Sequence, residues 1–180
     1  LDIVGSAHRE RRWEKAAQIC RYKSGKYTIE RPLHLGALLA APERADELLA
    51  PLSAFGLPLG DAFQMRDDVL GVYGDTLVTG KPVADDIREG KPTPLMALAC
   101  AAATPAQTAV LELVGEPGLT NEEIASVQQV IIDTGALAQL EAHISHLTDI
   151  ALASLDTIAL NAQARDELAQ LAHYVSWRDI

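Results

Sequence analysis

Apolar residues recur at helical spacing along most of the chain, and the interruptions between runs mark the elements. Trp13, Ala16, Ala17 and Cys20 share one face in a stretch over about 6–21 that lacks both Pro and Gly, which predicts a helix. The segment 22–28, with Gly25 in its middle, breaks that pattern. Pro32 suits the first turn of a helix continuing over 33–41. Past Pro42, Glu43 and Arg44 open a helix to about residue 55, and Gly56, Pro58 and Gly60 predict a break before another over 61–73. From 74 to 94 the periodicity lapses. Gly80, Pro82, Gly90 and Pro92 fall among dense charges there, which predicts a long loop, and loops of that length in compact domains are usually functional or disordered.

Helical spacing resumes over 95–103 and again from Thr104 and Pro105. Thr120 with Glu123 three residues later forms a capping box that opens a helix reaching Asp133. Gly135 separates it from an amphipathic run over 137–160, and a last helix covers about 162–177. No repeat, low-complexity segment or domain boundary intervenes. Residues 1–180 therefore read as one all-α helical bundle.

Composition supports that reading. Apolar residues make up 48% of the chain but aromatics only 4%, so the core must be built from Ala, Leu, Val and Ile. Ala and Leu are strong helix formers. The 25 acidic residues outnumber 15 basic ones, giving a net charge of -10. Such a surface repels a nucleic-acid backbone and an anionic membrane alike, which excludes nucleic acid as a partner. No apolar run approaches the roughly 20 residues of a membrane span. The opening residues, Leu1-Asp2-Ile3-Val4, do not resemble a signal peptide. Cys20 and Cys100 lie among apolar and small residues and read as buried thiols of a cytoplasmic protein. The chain starts without Met inside a helical pattern, so it is expected to be part of a longer protein.

The chemistry centres on Gln64-Met65-Arg66-Asp67-Asp68-Val69-Leu70-Gly71. Gln64, Asp67, Asp68 and Gly71 fall at i, i+3, i+4 and i+7, along one side of a helix. Two adjacent carboxylates in an apolar helix are costly to bury unless something neutralises them. Oxygen-only ligands suit a hard cation such as Mg²⁺, which keeps waters and recruits substrate phosphates. A solvated acidic pair is the alternative. The following loop weighs against it, because Lys81 and Lys91 flank Asp85 and Asp86 there. Lysines beside a metal-holding carboxylate pair supply the positive charge a diphosphate requires.

Phe63-Gln64-Met65-Arg66-Asp67-Asp68-Val69-Leu70, followed by Gly74-Asp75, Thr79-Gly80-Lys81, Asp86-Ile87 and Glu89-Gly90-Lys91-Pro92-Thr93, closely resembles the second aspartate-rich region of trans-isoprenyl diphosphate synthases. Lys23-Ser24-Gly25 resembles that family's Lys-Thr element, and Leu1-Asp2 the end of its Gly-Gln-x-x-Asp stretch. Tyr174-Val175-Ser176-Trp177-Arg178-Asp179 also fits. The resemblance implies the C-terminal half of an isoprenoid-synthase-type bundle. It implies Mg²⁺-assisted ionisation of an allylic diphosphate and attack on the cation by isopentenyl diphosphate. Asp67 and Asp68 would then hold Mg²⁺, and Lys23, Lys81 and Lys91 would contact the diphosphate. Ser24 and Gln64 would line the pocket near the reacting carbons. A homodimer is implied as well.

This chain departs from the family in two ways. Gly71 stands where the motif usually carries a third acid, and Asp75, one turn on, is the candidate for a water-mediated substitute. The first aspartate-rich motif is absent, so the 180 residues alone are expected to be inactive. That absence keeps a second reading open: a non-catalytic subunit of a heteromeric synthase. His143 and His146 are three apart on a helix but lack a third ligand nearby in sequence, and read as packing or surface residues. The basic run Arg9 to Arg12 reads as an exposed helix face or, alternatively, as facing a diphosphate.

Overall fold

In a computed structural model, the structure describes residues 11–74 and 84–178. Among these residues every regular element is helical: α1 (Trp13–Cys20), α2 (Arg31–Ala40), α3 (Ala45–Tyr73), α4 (Asp85–Glu89), α5 (Pro94–Ala102), α6 (Pro105–Leu111), α7 (Asn121–Asp133), α8 (Ala136–Ser154) and α9 (Ala162–Trp177). A π-helical stretch, Arg21–Glu30, joins α1 to α2, and short 3₁₀ turns follow α2 and α8. The all-α expectation is met.

Several boundaries differ from the sequence reading: a short helix, Asp85–Glu89, forms inside the expected loop, and the run expected over 137–160 ends as a helix at Ser154. The break expected around Gly56, Pro58 and Gly60 is absent, because α3 runs unbroken for 29 residues with Pro51 and Pro58 inside it. Each proline removes one amide from the helical ladder. Side-chain burial offsets that loss, since Leu48, Leu52, Phe55 and Leu59 are all at most 5% exposed. The segment expected to break near 22–28 is likewise helical, wound as the wider π form.

The caps behave as the sequence predicts. Thr120 accepts from the Glu123 amide at 3.2 Å while the Glu123 carboxylate accepts from the Thr120 amide at 2.8 Å. Thr104 and Gln107 form the same reciprocal pair at the start of α6.

The chain divides into two compact units. The first draws on residues up to Ile19 and on Asp67–Ala142, the second on Cys20–Arg66 and His143–Arg178. In the second, Leu48, Leu52, Phe55 and Leu59 of α3 pack with Ala151, Leu155, Ile158, Ala172 and Val175. The first buries Val72, Ile87, Leu95, Leu111, Val127, Ile131 and Leu140 almost completely. There the end of α3 is tied to α7 twice: the Tyr73 hydroxyl donates to the Gln128 carbonyl at 2.8 Å, and the Gln128 amide donates to the Val72 carbonyl at 2.6 Å. No helix among the described residues is long and apolar enough to cross a membrane.

Candidate functional site

In the second unit, the π-helical stretch crosses α3 at Gly60. A Cβ there would lie 2.5 Å from the Gly25 Cα and 2.8 Å from the Ser24 carbonyl oxygen. Only glycine permits that approach. It brings Ser24, 2% exposed, against Gln64, 5% exposed, and the Ser24 hydroxyl donates to the Gln64 carbonyl oxygen at 2.6 Å. One turn away on both elements, Arg21 pairs with Asp61 at 2.5 Å. Burial pushes the Asp61 carboxyl up and outweighs the opposing pull of Arg21. Lys23 precedes Ser24 and is exposed. The structure thus joins Ser24 and Gln64, two residues the sequence singled out forty positions apart.

The same unit anchors its C-terminal helix on this part of α3. Arg66 donates through Nε to the Ser176 carbonyl at 2.8 Å and stacks 4.9 Å from the Trp177 ring centroid. Arg178 lies 4.1 Å from the centroid of Phe63, and Thr148 donates to Ser176 at 2.7 Å. Sequence reasoning matched the motif around Phe63 and the C-terminal segment separately; the pairing between them was not legible.

In the first unit, Asp67 and Asp68 stand at successive positions on α3, Asp67 partly exposed and Asp68 6% exposed. Lys91 follows α4 and pairs with Asp86 and, at 3.0 Å, with Glu89. Burial alone disfavours the charged amine. The bonds to Asp86 and Glu89 outweigh that and raise its pKa above the ordinary lysine value, so it stays cationic. Arg11, part of the basic run, donates to the carbonyls of Gly90 (3.3 Å) and Val114 (3.4 Å), bracing the backbone just before Lys91. Lys81 and Asp75 lie outside the described residues.

Asp67 and Asp68 offer carboxylate oxygen only, which fits a hard divalent cation. Among the described residues no three His, Cys, Asp or Glu side chains are grouped to hold an ion by themselves. Such a donor pair fits a cation completed by water and substrate oxygens rather than a closed protein cage.

The profile described as "Polyprenyl synthetase" matches residues 1–131. The chain belongs to that family. A geranylfarnesyl diphosphate synthase of Aeropyrum pernix is 33% identical over 156 residues, covering 86% of this chain and 47% of the relative. A (2E,6E)-farnesyl diphosphate synthase of Mycobacterium tuberculosis is 33% identical over 150 residues, covering 78% and 40%. Among solved structures, a geranylgeranyl pyrophosphate synthase from Corynebacterium glutamicum, complexed with isoprenyl diphosphate and magnesium, superposes with a TM-score of 0.91 at 40% identity. It is matched over 98% of this chain and 50% of that one. The fold is therefore the all-α fold of polyprenyl synthases, and this chain spans about half the length of the relatives it matches.

Proposed function

We propose that the chain forms part of a trans-prenyl diphosphate synthase that condenses isopentenyl diphosphate with an allylic diphosphate, as the C-terminal half of one polyprenyl synthetase domain. The observation that carries the reading is the Asp67–Asp68 pair. It places two carboxylates at adjacent positions of a mostly buried helix, in a chain whose relatives are prenyl diphosphate synthases. The magnesium and isoprenyl diphosphate of the Corynebacterium glutamicum structure support the choice of ion and substrate class.

In this reading Asp67 and Asp68 hold Mg²⁺, which when bound neutralises charge developing on the departing diphosphate. Lys23, Lys81 and Lys91 bind oxygens of the same group as point charges. The allylic C–O bond breaks with its electron pair leaving on the diphosphate. The double bond of isopentenyl diphosphate then forms the new C–C bond to the allylic carbon, and a proton passes to the released diphosphate to regenerate an alkene. Ser24 fixes the amide of Gln64, and the two line the pocket near the reacting carbons. The chain's own residues position and stabilise charge, so no protein nucleophile is needed. A homodimer belongs to the same proposal.

The test uses the full-length protein with Mg²⁺ and labelled isopentenyl diphosphate. Asp67→Asn and Asp68→Asn should each lower turnover by about 10²-fold or more, as expected for lost transition-state charge stabilisation. Wild-type turnover in either variant would remove that residue from the metal site.

A further inference from the structure

Gly71 sits one turn after Asp67 and Asp68 on α3. Residues three and four apart are neighbours on a helix surface, so a side chain at 71 would stand beside those two carboxylates. That space is already filled from α4. A Cβ built on Gly71 would collide with the carboxylate of Asp86: Oδ1 would be 2.9 Å away and the other two atoms nearer still. Asp86 is 8% exposed and tightly paired with the Lys91 ammonium. The backbone closes the same loop, since the Lys91 amide donates to the Asp86 carbonyl at 3.1 Å. The Lys91 side chain keeps 25% of its surface exposed, enough to meet a ligand.

We propose that Asp86 is a positioning residue: lodged in the notch that Gly71 leaves in α3, it holds the Lys91 ammonium beside the Asp67–Asp68 turn to receive a diphosphate oxygen. The inference rests on the diphosphate-binding reading above and deepens it. An acid at position 71 would offer that turn a carboxylate alone. Here the carboxylate arrives from α4 with a lysine attached, so the turn presents a cation that binds a phosphate oxygen directly. Without the Asp86 charge, Lys91 is left to Glu89, whose side chain is 53% exposed, and swings toward solvent.

The experiment is calorimetric titration of inorganic pyrophosphate with Mg²⁺ into the full-length protein. Lys91→Gln should weaken binding about tenfold, the worth of one charge-assisted contact. Asp86→Asn should come close to that loss, and the double variant should bind no more weakly than Lys91→Gln alone, since the two residues act as one device. Losses that multiply, or wild-type affinity in Asp86→Asn, would overturn the proposal. A transfer variant, Gly71→Asp with Asp86→Gly, returns a carboxylate to the same volume from α3. It should regain most of the affinity lost in Asp86→Gly, and no regain would also overturn the proposal. Circular dichroism checks folding. If Asp86→Asn does not fold, the transfer variant decides, and unfolding of both would overturn the proposal by assigning Asp86 to the scaffold. Asp67→Asn separates the layers. Unchanged binding in both Asp67→Asn and Lys91→Gln removes the diphosphate reading itself, whereas loss in those two alone removes only the role of Asp86.

Discussion

Gly60→Ala tests the crossing that joins Ser24 to Gln64. In an open helix interior, Ala is more stable than Gly by about 0.5–1 kcal/mol. At Gly60 the new methyl would meet backbone atoms at 2.5, 2.8 and 2.9 Å, none of which can rotate away. Carbon atoms rest at about 3.5–4.0 Å, so the elements must part by roughly 1 Å. Overpacking of this kind costs about 1–3 kcal/mol, leaving a net loss of about 1 kcal/mol at mid-range after the helix gain. The same displacement stretches the 2.6 Å Ser24–Gln64 bond past the roughly 3.0 Å limit of an O–H···O contact. Gly36, in α2, is the matched control, because nothing lies within 4 Å of its Cβ position. Gly36→Ala should therefore stabilise by about 0.5–1 kcal/mol. At about 2–4 °C per kcal/mol for a chain of this size, the melting temperatures of the two variants should differ by roughly 4 °C or more. If Gly60→Ala melts with or above Gly36→Ala, the close approach of Gly60 to Gly25 is wrong.

Three further outcomes are expected. Ser24→Ala should cost about 0.5–1.5 kcal/mol in denaturant unfolding, since it removes the buried hydrogen bond from Ser24 to the Gln64 oxygen. Tyr73→Phe should remove part of the alkaline sensitivity. Burial raises the Tyr73 phenol to about 12, so its contribution is intact below the ordinary value of 10.0 and is lost as pH rises through about 12. A melting series across that window should be flatter in the variant. Thr120→Ala should flatten the acid limb instead. The Thr120 amide and hydroxyl hold the Glu123 carboxyl below its ordinary value, so that contribution is present above pH 4.5 and fades as pH falls through the lowered pKa.

Local signals were legible in the sequence and distant ones were not. The box at Thr120 and the helix Ala162–Trp177 depend on residues a few positions apart, and both appear where the pattern put them. Gly56 and Gly60 look like breakers from the chain alone. Their role is spacing: a Cβ at Gly56 would lie 3.2 Å from the Glu30 Cα, and one at Gly60 would strike Gly25, partners more than 25 residues away. The helix Asp85–Glu89 has five residues, too few to carry a periodic signal. For the site, helical spacing picked out Gln64, Asp67 and Asp68, the charge of the following loop picked out Lys91, and the family resemblance alone picked out Ser24. Asp86 was visible as part of the matched motif but without a partner in view, because its place depends on the emptiness of Gly71 fifteen positions earlier.

The π-helical winding of Arg21–Glu30 has a consequence for how this segment tolerates change in length. A π turn accommodates an extra residue that an α turn has no room for. Removing a single residue between Gly25 and Thr28 would shift the register of everything before it against α2. Each residue turns a helix by about 100°, so the deletion would rotate whatever precedes it by about that angle relative to α2. Ser24 would then face away from Gln64, with its identity unchanged. Substitutions in this segment should be absorbed one by one, whereas a one-codon deletion should uncouple the two elements at once.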